Sequence, residues 1–215
     1  MTDFLYPFID AQEDDLGGLM ADLAASVRDK TTTNAELRNA TFERMEAPLA
    51  EAGAAMAERF TAGGRLFTFG NGGSSTDAAT LAALFACPPT GAPLPAHCLV
   101  EDTAVLTALG NDVGFSLVFS RQLIAHARPG DMAAAFSTSG NSEDLLVALA
   151  EAAKRGVMTV GFAGYDGGDM GRARLDHCLV VNADSVHRIQ ETQAALGFAL
   201  WQAVQARLEA ATARG

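Results

Sequence analysis

The chain has 215 residues, 49% of them hydrophobic, which is enough apolar material for a buried core without disulfide support. Its formal net charge of −11 excludes the broad basic surface that nucleic-acid binding requires, so we expect no direct contact with nucleic acid. An odd count of three cysteines, an acidic segment at residues 1–15 where a signal peptide is basic, and the absence of a long apolar run predict a cytoplasmic chain with reduced thiols and no membrane span.

The first third of the chain has helical periodicity, and it predicts two amphipathic helices at Leu19–Lys30 and Asn34–Phe60. Beyond Gly63, short apolar runs alternate with helical stretches, which is typical of parallel strands joined by crossover helices. The predicted strands are Arg65–Phe69, Ala96–Val100, Met132–Phe136, Val157–Phe162 and Cys178–Val181. The predicted later helices are Ser74–Cys87, about Asp112–Ala127, Glu143–Gly156 and about Ser185–Ala210.

This pattern predicts one α/β domain over residues 1–215, with a helical segment at about 1–62 and a parallel-sheet core at about 63–215. No internal repeat or linker interrupts it. We therefore expect the N-terminal helices to pack on the sheet domain or on another subunit.

A glycine-rich loop, Gly70–Ser75, follows the first predicted strand and precedes a helix. Glycines let the backbone approach a ligand, and the amides at a helix start attract anions. The loop lacks the Gly-Lys-Ser/Thr of a P-loop and the third glycine of a dinucleotide fingerprint. An alternative is a tight turn in which Ser74 is the N-cap and Asp77 completes a capping-box-like arrangement.

A second loop, Ser137–Ser142, follows the third predicted strand and carries four hydroxyls around Gly140. Hydroxyls and amides together can bind phosphate oxygens without a lysine, at the strand ends where α/β sheets bind ligands. Helix capping accounts for one or two of these side chains rather than four. The loop therefore predicts a phosphate site.

Five motifs in this order resemble the SIS (sugar isomerase) domain, specifically the group of phosphoheptose isomerases and the DnaA initiator-associating protein. They are GNGGSS at 70–75, LGND at 109–112, STSGNS at 137–142, GYDGG at 164–168 and RIQE at 188–191. The resemblance covers about residues 15–208. It implies an SIS-type three-layer sandwich with a five-stranded parallel sheet flanked by helices. It also implies a homotetramer with the N-terminal helices at subunit contacts and sites between subunits.

The resemblance also implies a set of phosphosugar-binding residues. The phosphate would contact Ser137, Thr138, Ser139 and Ser142, and the sugar would lie near Asn71, Gly72, Ser74, Asp102 and Gln190.

The family's metal site is altered in this sequence. Phosphoheptose isomerases resemble metal-dependent acid/base enzymes with His-x-x-x-Glu on one helix and Gln…His on the last. The corresponding residues here are Thr80, Leu84, Gln190 and Phe198, so only the glutamine is retained. Leucine and phenylalanine neither ligate zinc nor take up a proton. We therefore expect no metal and no other cofactor.

Catalysis without these groups would need substitutes, and Glu191, Asp102 and His187 are the candidates. His187 can equally be an ordinary polar residue in the first turn of its helix. The pairs His97-Cys98 and His177-Cys178 lie in predicted strands, where neighbouring side chains face opposite ways, so neither pair predicts a metal site.

Two functions remain. The first is a non-catalytic phosphosugar-binding protein with a binding, regulatory or assembly role and an unidentified protein partner. The alternative is a sedoheptulose 7-phosphate isomerase, or a related sugar-phosphate isomerase, with relocated catalytic groups.

Overall fold

The computed structural model describes residues 16–212, which form seven α-helices, one 3₁₀ helix and five strands. The helices are α1 (Leu16–Thr61), α2 (Gly73–Ala86), α3 (Thr103–Asp112), α4 (Val118–His126), α5 (Glu143–Lys154), α6 (Gly168–Arg172) and α7 (Val186–Thr212). The strands are β1 (Leu66–Gly70), β2 (Ala96–Cys98), β3 (Met132–Ser137), β4 (Met158–Gly164) and β5 (His177–Val181). Residues 1–15, on which the absence of a signal peptide was predicted, lie outside the described part of the chain.

The five strands form one parallel sheet in the order β2-β1-β3-β4-β5, which confirms the predicted α/β class. Strands β1, β3 and β4 are buried along their whole length, as strands covered on both faces are. Gly70 at the end of β1 pairs with Phe136 near the end of β3. The loops that follow these two strands therefore leave the sheet side by side.

Two apolar layers cover the two faces of the sheet. Residues 37–61 of α1 pack with α2 and α7 on one face, where Met56, Phe85 and Leu200 are fully buried. Helices α4 and α5 cover the other face through Phe119 and Leu149. The helices-sheet-helices arrangement confirms the predicted sandwich.

The N-terminal helical region differs from the prediction of two helices. Helix α1 is continuous, and the division into two compact units falls within it, between Glu36 and Leu37. Within the threonine run, the hydroxyls of Thr31 and Thr33 donate to carbonyls one turn back, at 2.8 and 2.9 Å, so these hydroxyls have acceptors inside the helix. None of the described helices is long and apolar enough to cross a membrane.

The region between β2 and β3 also differs from the prediction. Helix α3 ends at Asp112, where a helix was predicted to begin, and Gly114 adopts a φ of 94° before the 3₁₀ helix Phe115–Leu117. A left-handed glycine ends regular helix at this point. Strand β2 stops at Cys98 because the chain turns toward the start of α3, where the Asp102 carboxylate accepts a hydrogen bond from the Val105 N–H at 3.0 Å.

A buried carboxylate ties together the starts of β1 and β3. Asp131 accepts hydrogen bonds from the Arg65 N–H and guanidinium at 2.8 Å and from the Arg128 N–H at 2.9 Å. Burial by itself raises the pKa of Asp131, but the hydrogen bonds and charge of Arg65 outweigh it, so the pKa lies below 3.8. The carboxylate therefore contributes stability above pH 3.8 that is lost as the pH falls further.

Replacing Asp131 with alanine should lower the free energy of unfolding at pH 7 by about 3 kcal/mol, because it removes the charge partner of the half-buried Arg65 guanidinium and the acceptor of two backbone N–H groups. Urea denaturation measures the change. Glu151→Ala is the matched control, since its pairs with Lys154 and Arg155 are on the surface and should contribute under about 1 kcal/mol. If the two substitutions lowered the free energy of unfolding equally, Asp131 would not have the stabilising role described here.

Candidate functional site

The first loop brings its backbone to the start of α2. Gly72 has a φ of 55° and is the N-cap residue, without a side-chain hydrogen bond, and the helix begins at Gly73. Ser74 lies inside the first turn and is buried. The alternative in which Ser74 and Asp77 cap the helix is therefore not observed, and the N–H groups of Ser74 and Ser75 instead donate to the Asn71 and Gly72 carbonyls, both at 3.0 Å.

The two loops are joined directly by side chains. The amide nitrogen Nδ2 of Asn71 donates to both carboxylate oxygens of Asp144, at 3.0 and 2.8 Å. Asp144 lies in the first turn of α5 and is 5% exposed. A buried carboxylate with two hydrogen bonds from one amide fixes the distance between the loops.

The second loop is organised by its own hydroxyls. Ser137 Oγ accepts from the Gly140 N–H at 3.0 Å and lies 3.2 Å from Ser142 Oγ, while Ser139 Oγ accepts from the Asn141 N–H. Ser142 is the N-cap of α5 but makes no side-chain capping bond. Capping therefore does not account for this hydroxyl, and the structure gathers the predicted phosphate residues in one turn at the start of α5.

The GYDGG segment and the first residues of α6, which follow it, contact this turn. Met170 donates its N–H to the Gly140 carbonyl, and Asp169 donates its N–H to Asn141 Oδ1, both at 2.8 Å. A Cβ at Gly140 would overlap the Gly167 carbonyl, and Gly140 has a φ of 67°. Glycine at position 140 is therefore required both by backbone conformation and by this close contact.

The remaining predicted sugar residues are placed separately. Gln190 lies over the first loop, because a Cβ at Gly73 would overlap its side-chain amide. Asp102 caps α3 and lines a cavity together with Arg65 and His97, away from the two loops. His187 and Glu191 are exposed on the first turns of α7. The three catalytic candidates Asp102, His187 and Glu191 thus share no single pocket.

A cavity of about 230 Å³, which we call the α2–α7 cavity, lies between those two helices. Its lining residues are Asp77, Thr80, Leu81, Leu84, Phe136, Gln193, Ala194, Gly197 and Phe198. Thr80, Leu84 and Phe198, which the resemblance predicts at the family's metal-ligand positions, all belong to this lining. One hydroxyl and two hydrocarbon side chains do not fit a zinc ion, which takes at least three nitrogen, oxygen or sulfur ligands from a protein in catalytic sites.

Sequence reasoning missed two polar residues of this cavity, Asp77 and Gln193. Among the described residues, neither Asp77 Oδ2 nor the amide Nε2 and Oε1 of Gln193 has a hydrogen-bond partner. Gln193 is fully buried, and burial raises the pKa of Asp77 from 3.8 to about 6. The sequence spacing could have identified Asp77 as a cavity residue. It lies three residues before Thr80 and seven before Leu84, so the three residues share one face of α2.

No cluster of three histidine, cysteine, aspartate or glutamate side chains within residues 16–212 could hold a metal. His97 lies in β2 and stacks on Phe67, and His177 begins β5, which are the ordinary strand positions expected for them. The thiols of Cys98 and Cys178 are free.

Replacing Asp77 with asparagine should stabilise the protein at pH 7.5. The folded carboxyl has the higher pKa, so the unfolded chain ionises first as the pH rises above 3.8, and the penalty on folding is complete above about pH 6. Because Asp77 is only half-buried, we expect the free energy of unfolding to rise by about 1 kcal/mol, which is less than the full pKa shift would give.

Urea denaturation at pH 7.5 and at pH 3.5 measures this difference. The gain should vanish at the lower pH, where both states are protonated. A gain of the same size at both pH values would show that charge on Asp77 is not its cause.

Comparison with known proteins defines the class of this protein. The model of the SIS domain matches residues 32–164, so the chain belongs to the SIS-domain family. Within that family it belongs to the phosphoheptose isomerase group. It is 42% identical to the phosphoheptose isomerase of Rhodospirillum rubrum over 71% of this chain and 81% of that protein. It is 39% identical to the one from Nitratidesulfovibrio vulgaris over 82% and 85% of the two chains.

A solved structure supports the same placement. The phosphoheptose isomerase of Neisseria gonorrhoeae superposes with a TM-score of 0.80 at 31% identity, covering 86% of this chain and 99% of its own.

Proposed function

We propose that this protein binds a phosphorylated sugar in the cytoplasm and does not isomerise it, acting as a binding, regulatory or assembly protein. One observation carries the proposal. The α2–α7 cavity has Thr80, Leu84 and Phe198 where the family's metal and acid/base groups are expected, whereas both loops keep their hydroxyls and glycines. Binding can therefore persist without the chemistry.

The phosphate is assigned to the second loop. Ser137, Thr138, Ser139 and Ser142 surround the start of α5, where backbone N–H groups and the helix dipole favour an anion. The Asp144 carboxylate beside this turn accepts two hydrogen bonds from Asn71. The sugar then extends toward Asn71, Gly72, Ser74 and Gln190 of the first loop.

Replacing both Ser137 and Thr138 with alanine should abolish the thermal stabilisation that sugar phosphates give. The change removes two hydroxyls from the Ser137–Ser142 turn and also the acceptor of the Gly140 N–H. Differential scanning fluorimetry with a panel of sugar phosphates measures it. The control replaces Thr31 and Thr33 with alanine. These two residues are distant in sequence from the Ser137–Ser142 turn, and their exposed hydroxyls donate to carbonyls of α1. Unchanged affinity in the loop mutant would refute the phosphate assignment.

The alternative is a sugar-phosphate isomerase with relocated acid/base groups. It is favoured by the identity of 42% with a phosphoheptose isomerase and by the carboxyl of Asp77 beside the cavity. Moving a proton between adjacent carbons needs a base whose pKa is near the working pH. The Asp77 pKa of about 6 meets that condition, while Glu191, Asp102 and His187 lie outside the cavity.

The natural protein should carry no stoichiometric zinc and should show negligible turnover of sedoheptulose 7-phosphate. The triple variant Thr80→His, Leu84→Glu and Phe198→His should gain zinc affinity, since it adds three ligands to Gln190. Elemental analysis and an isomerase assay of both proteins measure this. Turnover by the natural protein at about 1 per second or more would establish the isomerase alternative instead.

We also propose a homotetramer. In the first compact unit, Leu19, Met20, Leu23 and Val27 are exposed on α1, and apolar residues exposed together on a helix are typical of a subunit contact. An unidentified protein partner is the other occupant we consider for such a surface.

Light scattering at micromolar concentration should give about four times the 22.4 kDa of one chain. Replacing Leu23 and Val27 with glutamate should lower the measured mass, whereas the control Ala24→Glu on an exposed position of the same helix should do so less. A monomeric wild-type protein would exclude sites shared between subunits.

A further inference from the structure

The polar groups that the α2–α7 cavity presents to a ligand are acceptors of hydrogen bonds. Asp77 is the one ionisable side chain among the described residues of the lining, and a carboxylate offers only acceptor oxygens. Thr80 Oγ1 donates its proton to the Thr76 carbonyl at 2.8 Å, so the lone pairs of this hydroxyl are left to accept. The Gln193 amide is fully buried and offers no donor to a ligand. A polar group that binds here must therefore be a donor.

The Asp77 carboxylate has no counter-charge within residues 16–212. The ion pairs of this range involve other carboxylates, namely those of Asp131, Glu151, Asp166 and Asp169. Asp77 Oδ2 is buried without a hydrogen-bond partner, but the residue is only half-buried, and Oδ1 is the carboxylate oxygen left open to a ligand. A carboxylate against an apolar wall is costly without a partner, and a cation on the ligand would supply that partner.

The rest of the lining suits a cation that is attached to a carbon framework. Leu81 and Leu84 contribute hydrocarbon, against which the carbon atoms next to the charge can pack. Phe136 and Phe198 contribute aromatic rings, whose faces attract a cation more strongly than a neutral hydroxyl. Phe198 is 45% exposed, so the cavity can be entered from the solvent at this residue.

The cavity begins one helical turn beyond the first loop. A Cβ at Gly73 would overlap the side-chain amide of Gln190, so α2 and α7 approach each other at these two residues. Asp77 follows Gly73 by one turn on α2, and Ala194 follows Gln190 by one turn on α7, a rise of about 5.4 Å along each helix. One substituent of a sugar that lies at the first loop can therefore reach the cavity.

We propose that the α2–α7 cavity is a cation subsite, so that the ligand is the phosphate of an amino sugar with a free, protonated amine. The ammonium group pairs with Asp77 Oδ1 and donates to Thr80 Oγ1, while the phosphate lies in the Ser137–Ser142 turn. This inference rests on the proposed function, because that turn anchors the same ligand.

Isothermal titration of the purified full-length protein at pH 7 tests the subsite with two matched pairs of ligands. Glucosamine 6-phosphate is compared with glucose 6-phosphate, and mannosamine 6-phosphate with mannose 6-phosphate. In at least one pair the amine should bind about ten-fold more tightly, as a charge-assisted hydrogen bond to a half-buried carboxylate gives. The N-acetyl derivative of the preferred amine is uncharged and should lose this advantage.

Asp77→Asn should bring the ratio of the two affinities in that pair to about one, because the amide has the shape of the carboxylate without its charge. The variant is suitable because the same substitution is expected to stabilise the folded protein at neutral pH. Glu209→Gln is the matched control, since it removes one exposed negative charge of α7 outside the cavity lining. It should keep the full ratio.

Three results would overturn the cation subsite while binding of the hexose phosphates leaves the phosphate assignment intact. They are equal binding within both pairs, a ratio that survives in Asp77→Asn, and an N-acetyl derivative that binds as tightly as its amine. An equal loss of the ratio in Glu209→Gln would also overturn it, because net charge rather than the cavity would then set the preference. If no compound bound the wild-type protein, the phosphate assignment and this inference would both be wrong.

Discussion

The link between Asn71 and Asp144 is the interaction on which the candidate site depends. Parallel pairing of β1 with β3 brings the two loops to one edge of the sheet, but strand pairing alone does not set the distance between the loop backbones. Two hydrogen bonds to a carboxylate that is 5% exposed do set it. Gly72 has a positive φ, which lets the first loop turn into α2 directly after Asn71, the residue that bonds to Asp144.

Much of the fold could be predicted because apolar periodicity reports burial. The strands β1, β3 and β4 are buried on both faces, so their sequences read as continuous apolar runs, and the parallel α/β class followed from their alternation with helices. Apolar periodicity does not predict where a helix begins or ends when local polar contacts and glycines determine its ends. Helix α1 continues where a break was expected, and the hydroxyls of Thr31 and Thr33 find acceptors within it.

The candidate site was predictable in its loops and not in its cavity. The residues of each loop are consecutive, so their hydroxyls and glycines are visible in the sequence as a cluster. The cavity depends on the packing of α2 against α7, which are more than 100 residues apart, and only that packing places Gln193 beside Asp77. Asp77 also resembled a capping residue, because it follows the glycine loop at a suitable spacing, although Gly72 is the N-cap of the helix.

The two parts of the site rest on different physical supports, and for this reason one part can change without the other. The Ser137–Ser142 turn is held by backbone contacts from the start of α6 and by Ser137, and these contacts do not involve α2 or α7. The cavity is formed by side chains on the facing surfaces of those two helices, where its hydrocarbon lining adds to the apolar contact between them. The residues that line the cavity can therefore change in a chain of this fold while the Ser137–Ser142 turn stays intact.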